Sequence, residues 1–91
     1  MADTLSDDEV DDRAPDGWSR DGEAIVRTYG FDEYLDGVDF ANDVAELADE
    51  EVHHPEITIR FDEVEVQLTS HEEGGVTEQD VEMAEQFNDQ Y

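Results

Sequence analysis

The clearest alternation of hydrophobic and polar residues lies between Ile57 and Leu68. Two runs with a period of two predict a pair of one-sided β-strands joined by a tight turn. If Asp62-Glu63 forms that turn, the hydrophobic faces of the two strands match. The facing pairs in this register are Phe61 with Val64, Ile59 with Val66, and Ile57 with Leu68.

Two longer segments show the spacing of amphipathic helices. From Asp32, an expected N-cap, apolar residues recur every three or four positions as far as Ala48. After Gly74-Gly75, a last helix to about residue 88 is expected, with Thr77 as N-cap and Asp80 as its N3 acid.

The amino-terminal part of the chain predicts a short helix followed by a hairpin. Ser6 and Glu9 form a capping-box pattern. Asp21-Gly22 is a hairpin turn signal that leads into a strand over residues 23–31.

Together these elements have the order (short α)ββαββα. This order predicts an α+β fold with a four-stranded antiparallel sheet and helices on one face. We divide the chain into an acidic segment over residues 1–16 and a single domain over residues 17–91.

Composition narrows the classes of partner. The 91 residues include 29 acidic side chains, four Arg, no Lys and no Cys, for a net charge of −25. Nucleic acid and anionic membrane surfaces are disfavoured, because binding to phosphates requires clustered basic residues. So many carboxylates repel one another in dilute buffer and are screened in molar salt, which favours a salt-adapted protein. The chain start resembles no secretory signal and no apolar run is long enough to span a bilayer, so we expect a cytoplasmic protein.

All three histidines of the chain, His53, His54 and His71, are expected at one end of the sheet. The hairpin register above sets His54 opposite His71, and Asp49 precedes His53 by one helical turn. Taken singly, each histidine is more often a polar linker or surface residue. As a cluster they form a candidate catalytic site, because histidine transfers protons near neutral pH.

Two chemical interpretations of this cluster compete. Three histidines can hold zinc with an open fourth position, but adjacent side chains in an extended segment point to opposite faces, which disfavours joint ligation by His53 and His54. We therefore favour a site without metal, in which one histidine protonates a leaving oxygen and another removes a proton.

The pattern resembles the signature of the pterin-4a-carbinolamine dehydratases. The resemblance rests on Asp49-x-x-x-His53-His54-Pro55-Glu56, then Phe61, His71 and Asp80, and extends over about residues 17–90. It implies a lyase that removes water from a 4a-hydroxytetrahydropterin without a cofactor. By the same resemblance, His53 and His71 supply acid and base, and His54 positions the pterin.

The resemblance also assigns substrate contacts and assembly. Asp49 and Asp80 are implied as binding or orienting groups, and Glu56 and Phe61 as pocket walls. The implied partners are the pterin and further copies of the chain, in a homodimer or homotetramer whose sheets join across subunits. The alternative is a non-catalytic pterin-binding or assembly protein linked to molybdopterin metabolism.

Overall fold

The computed structural model describes residues 3–91, which form three helices and four strands. The elements in chain order are α1 (Asp7–Arg13), β1 (Ser19–Asp21), β2 (Ala24–Gly30), α2 (Tyr34–Glu50), β3 (Glu56–Ile59), β4 (Glu63–Leu68) and α3 (Glu78–Gln90). The strands form one antiparallel sheet in the order β1-β2-β4-β3. The predicted α+β fold and its order of elements are confirmed.

The helix starts follow the local sequence. Ser6 and Glu9 form the expected capping box of α1, in which each residue's side chain bonds the other's backbone N–H. At α3 the N-cap is Thr77, whose backbone N–H donates to the Asp80 carboxylate at 2.9 Å. Helix α2 differs from the prediction, because its N-cap is Glu33 rather than Asp32 and makes no side-chain capping bond.

One face of the sheet carries the hydrophobic core. Strand β4 contributes Val64, Val66 and Leu68, which are all fully buried, and β2 contributes Ile25 and Tyr29. Helices α2 and α3 cover this face with a further set of buried side chains: Phe40, Val44 and Ala48 from α2, and Val81, Ala84 and Phe87 from α3. This packing holds the carboxyl end of α2 and the amino end of α3 in fixed positions against the sheet.

The register of the β3–β4 hairpin differs from the predicted one by two residues. Ile59 faces Val64 and Ile57 faces Val66, so the turn is formed by Phe61 and Asp62 rather than by Asp62 and Glu63. A two-residue shift keeps every side chain on its original face, so hydrophobic alternation does not distinguish the two registers. The tertiary structure selects the observed one, in which the Asp62 carbonyl accepts the Phe31 N–H at 2.9 Å.

The amino-terminal segment packs against the rest of the chain. Val10 of α1 is 2 % exposed and joins the core. The Leu5 N–H donates to the Val76 carbonyl at 2.8 Å, and Arg13 pairs with Glu78 of α3 at 2.9 Å. The acidic segment is therefore tied both to the core and to the start of α3.

Strands β1 and β3 form the two edges of the sheet. All three residues of β1 and most of β3 are exposed. The homodimer or homotetramer expected to cover an edge stays a prediction. Within residues 3–91, no helix has the length and apolar character needed to cross a membrane.

Candidate active site

His53 and His54 are placed by the carboxyl end of α2. The helix ends in a Schellman motif, in which the His53 N–H donates to the Ala48 carbonyl and the Val52 N–H donates to the Asp49 carbonyl. Val52 occupies the left-handed position of this motif with φ 51°, where glycine is usual. Its side chain is 80 % exposed. A β-branched residue is strained in this conformation, so the turn that presents the histidines holds some strain.

His71 is placed by the loop that follows β4. Ser70 pairs with Gly75 in an isolated antiparallel bridge, and the intervening residues form a tight turn. The Gly74 N–H donates to the Ser70 carbonyl at 2.9 Å, and Gly74 has φ 82°, which glycine adopts without strain. His71 is exposed at the start of this turn.

The three histidines line one cleft. Its volume is about 410 Å³, which lies within the roughly 300–1,000 Å³ of small-molecule sites. Its full lining is Val52, His53, His54, Thr69, Ser70, His71, Glu72, Glu73 and Gln79. Thr69 and His71 also border a second cleft of about 210 Å³, which is walled by residues that include Asp21 and Glu23. The end of α2, the loop after β4 and the start of α3 therefore converge on this site.

His53 is fixed by a buried carboxylate. Its Nε2 lies 2.5 Å from Oδ1 of Asp80, and Asp80 is fully buried. The other carboxylate oxygen, Oδ2, accepts the Ser70 hydroxyl at 2.8 Å and the Thr77 backbone N–H at 2.9 Å. Both oxygens of Asp80 are thus engaged by protein groups, which makes it an orienting group for His53. Of the two roles expected for Asp80, binding or orienting, this geometry favours the orienting role, because the side chain is fully buried and is not part of the cleft lining.

His54 has a more exposed environment than His53. Its Nε2 lies 3.2 Å from Oδ1 of Asp49, and their side chains are 60 % and 86 % exposed. An exposed pair of this kind stabilises the fold little, so His54 is free to reorient toward a ligand. The sequence-based expectation that Asp49 lies beside the histidines is met through this contact.

The charge around the cleft is negative. Glu72 and Glu73 line it, whereas the four Arg of the chain all bond elsewhere within residues 3–91. Arg13 pairs with Glu78, Arg20 with Asp7 and Asp11, Arg60 with Glu63 and Glu65, and Arg27 donates to Asn88 and to the Asp16 carbonyl. With no Lys in the chain, the cleft offers an anionic ligand only its histidines and polar groups.

Comparison with known proteins identifies the family. Residues 3–90 match the family model described as pterin 4 alpha carbinolamine dehydratase. The chain belongs to this family. It is 63 % identical over 89 residues to a relative from Halobacterium salinarum that is named after the same dehydratase, with 98 % of each chain covered. A relative of the same name from Natronomonas pharaonis is 51 % identical over 89 residues, covering 98 % of this chain and 97 % of the relative.

A solved structure has the same fold. It is described as a transcriptional coactivator/pterin dehydratase from Brucella melitensis, and it superposes with a TM-score of 0.90 at 34 % identity. The match covers 97 % of this chain and 98 % of the other. The family match begins at residue 3, so it includes the acidic amino-terminal segment as well as the region that carried the sequence resemblance.

Two residues that the dehydratase resemblance assigned to the pocket lie outside the cleft. Glu56 is exposed at the start of β3, and Phe61 is 81 % exposed in the β3–β4 turn. Phe61 is at the far end of the hairpin from the histidines, because β3 and β4 run their whole length between the turn and the cleft. Within one chain, therefore, neither residue forms a wall of this cleft.

The predicted pairing of His54 with His71 is also wrong. The observed register places the ladder between Glu56 and Ile59 on β3, so both histidines lie beyond its end. They still meet at the cleft, because the α2 terminus and the turn after β4 approach each other there. Ser70 and Gln79 were missed as site residues; the only available signal was their adjacency to His71 and Asp80.

The arrangement suits proton transfer by side chains. The cleft has one histidine held by a buried carboxylate and two exposed histidines, which is a set that can both donate and accept protons. Within residues 3–91, no three His, Cys, Asp or Glu side chains are grouped in a way that could hold a metal ion. His53 and His54 instead direct their Nε2 atoms at separate carboxylates, Asp80 and Asp49.

Proposed function

We propose that this protein is a hydro-lyase that converts a 4a-hydroxytetrahydropterin into the quinonoid dihydropterin. The observation that carries the proposal is the convergence of His53, His54 and His71 on a single cleft of about 410 Å³. Membership of the dehydratase family supports the same reaction. The names of the relatives add the substrate class, a pterin-4a-carbinolamine.

The reaction needs one acid and one base. Protonation of the 4a-hydroxyl makes water the leaving group, and removal of the N5 proton supplies the electron pair of the new C4a=N5 bond. In this proposal His53 and His71 perform these two steps, and His54 binds and positions the pterin. Asp80 holds His53, and Asp49 lies beside the exposed His54.

The charge of the cleft favours a pterin with an uncharged side chain. Glu72 and Glu73 stand at the cleft, and the arginines are bonded elsewhere in the described residues. A phosphate group would approach carboxylates without a guanidinium or ammonium partner, which is electrostatically unfavourable at short range even in salt. This argues against a pterin that carries a phosphate group as the ligand of this cleft.

A turnover assay tests the proposal. Freshly generated 4a-hydroxytetrahydropterin is mixed with the protein in molar KCl, and formation of the quinonoid product is followed by its absorbance. We expect acceleration over the uncatalysed reaction, and roughly 10²-fold or greater loss of turnover in His53→Ala and in His71→Ala. Binding of the pterin without acceleration would instead support the non-catalytic alternative.

Controls separate lost chemistry from lost folding. His53→Ala leaves Oδ1 of the buried Asp80 carboxylate without a partner, which destabilises the fold. His53→Gln keeps a side-chain N–H near the position of Nε2, so it tests the chemistry with less effect on folding. Asn42→Ala, on the exposed face of α2 and away from the cleft, should retain full turnover.

A further inference from the structure

The two ring nitrogens of His53 have different environments. Nε2 is bonded to Asp80, whereas no group within residues 3–91 is bonded to Nδ1. In the same part of the chain, every buried side-chain nitrogen or oxygen has a hydrogen-bond partner. Nδ1 is therefore not buried, and because His53 lines the cleft, Nδ1 is the ring atom that a ligand can reach.

The contacts of Asp80 fix the direction of the hydrogen bond to His53. The Thr77 backbone N–H can only donate, and it donates to Oδ2. The Ser70 hydroxyl also donates to Oδ2, while its oxygen lies 2.9 Å from the Thr77 hydroxyl, a second bond that holds Ser70 in place. With two donors on Oδ2, the Asp80 side chain serves as a hydrogen-bond acceptor, so its Oδ1 accepts a hydrogen bond from Nε2–H of His53.

Burial makes this network rigid. Ser70, Thr77 and Asp80 are 3 %, 1 % and 0 % exposed, and they come from the loop after β4 and from the start of α3. A buried network with all of its members satisfied has one favoured arrangement, since any rotation leaves a polar group unpaired. The tautomer of His53 is thereby determined by Asp80 together with Ser70 and Thr77, which hold the carboxylate in place.

We propose that Ser70 and Thr77 are positioning residues that act through Asp80 to hold His53 in the Nε2–H tautomer, with Nδ1 as the proton acceptor in the cleft. This rests on the proposed function and deepens it by assigning the base. His53 Nδ1 takes the N5 proton, and the N5–H electron pair forms the C4a=N5 bond. The C4a–O bond breaks, and the hydroxyl leaves as water with a proton from His71.

The tautomer is measurable without any turnover. In ¹⁵N-labelled full-length protein, two-bond nitrogen–proton correlations of the imidazole rings distinguish Nε2–H from Nδ1–H. The spectra are recorded in molar KCl at a pH where the ring is neutral, and His53→Gln identifies the resonances. We expect the Nε2–H form of His53. The Nδ1–H form in the unmodified protein would overturn the proposal.

Asp80→Asn tests the role of the carboxylate. The amide oxygen is expected to accept the Thr77 N–H and the Ser70 hydroxyl, which turns the amide NH₂ toward Nε2 of His53. Nε2 must then accept, so the proton moves to Nδ1 and the base is lost. The expected results are the reversed tautomer and a fall in kcat of about 10²-fold or more. An unchanged tautomer and pH–rate profile would contradict the proposal.

Ser70 offers a matched pair of substitutions. Ser70→Ala removes the hydroxyl, and roughly tenfold lower kcat is expected with little change in KM, together with a shifted pH–rate profile. Ser70→Thr keeps the hydroxyl and should retain most of the activity. Equal activity in the two variants would overturn the role of Ser70. Because the spectra do not depend on catalysis, an inactive protein with the Nε2–H form would refute the proposed function but not this positioning.

Discussion

Asn88 near the carboxyl end of α3 holds three side chains through one oxygen. Its Oδ1 accepts the Trp18 indole N–H at 3.0 Å, the Arg27 guanidinium at 2.8 Å and the Tyr29 hydroxyl at 2.6 Å. Its Nδ2 donates to the Asp16 carbonyl at 3.1 Å. The residue therefore joins α3 to β2 and to the segment before β1, and α3 is the helix that carries Asp80.

Asn88→Ala is expected to destabilise the protein by about 3 kcal/mol. Tyr29 is 0 % and Trp18 is 6 % exposed, so both lose the partner of a buried donor. Each unpaired buried donor costs about 1–3 kcal/mol. Arg27 contributes less, because it keeps its bond to the Asp16 carbonyl and its position over the Tyr29 ring. For a chain of this size, the loss corresponds to a decrease in Tm of roughly 12–24 °C.

Urea unfolding in molar KCl, followed by tryptophan fluorescence and circular dichroism, measures this change. Asn42→Ala is the matched control, because the Asn42 amide makes one exposed bond to Glu46 on α2. That bond is worth about 0.5 kcal/mol or less. Asn88→Asp keeps the acceptor and should be destabilised less than Asn88→Ala. A difference between Asn88→Ala and Asn42→Ala below about 0.5 kcal/mol would refute the reasoning.

Three further predictions concern strain, pH and salt. Val52→Asn should raise the free energy of unfolding by about 1 kcal/mol, because asparagine tolerates φ 51° better than valine; an unchanged or lower Tm would contradict this. Burial raises the pKa of Tyr29 to about 12. Because the unfolded chain loses this proton at a lower pH than the folded protein, the free energy of unfolding should fall between about pH 10 and 12. Tyr29→Phe should remove this pH dependence when urea unfolding is measured across that range. With a net charge of −25, the chain should fold fully in molar KCl but not in dilute buffer, and circular dichroism showing full folding without salt would count against salt adaptation.

The site was only partly predictable from the sequence. The grouping of His53, His54 and His71 was predicted, yet the reason given for it, a direct pairing of His54 with His71 across the hairpin, was wrong. Their convergence comes from the ends of α2 and β4, which the packing of α2 on the sheet brings together. For Phe61 the outcome is the reverse. The residue belongs to the motif that carried the family resemblance, yet it lies in the exposed β3–β4 turn and away from the cleft.

The sequence by itself determined where the helices and strands of this protein form, because helix capping and amphipathic spacing depend on residues only a few positions apart. The capping residues Ser6 with Glu9 and Thr77 with Asp80, and the buried face of β4, were all readable from the sequence. Only the tertiary structure decided the hairpin register, since a shift of two residues leaves the hydrophobic pattern unchanged. It also decided that Asp80, a capping residue by its spacing and a binding or orienting group by the family resemblance, holds the ring of His53, because that contact joins groups separated by 27 positions in the chain.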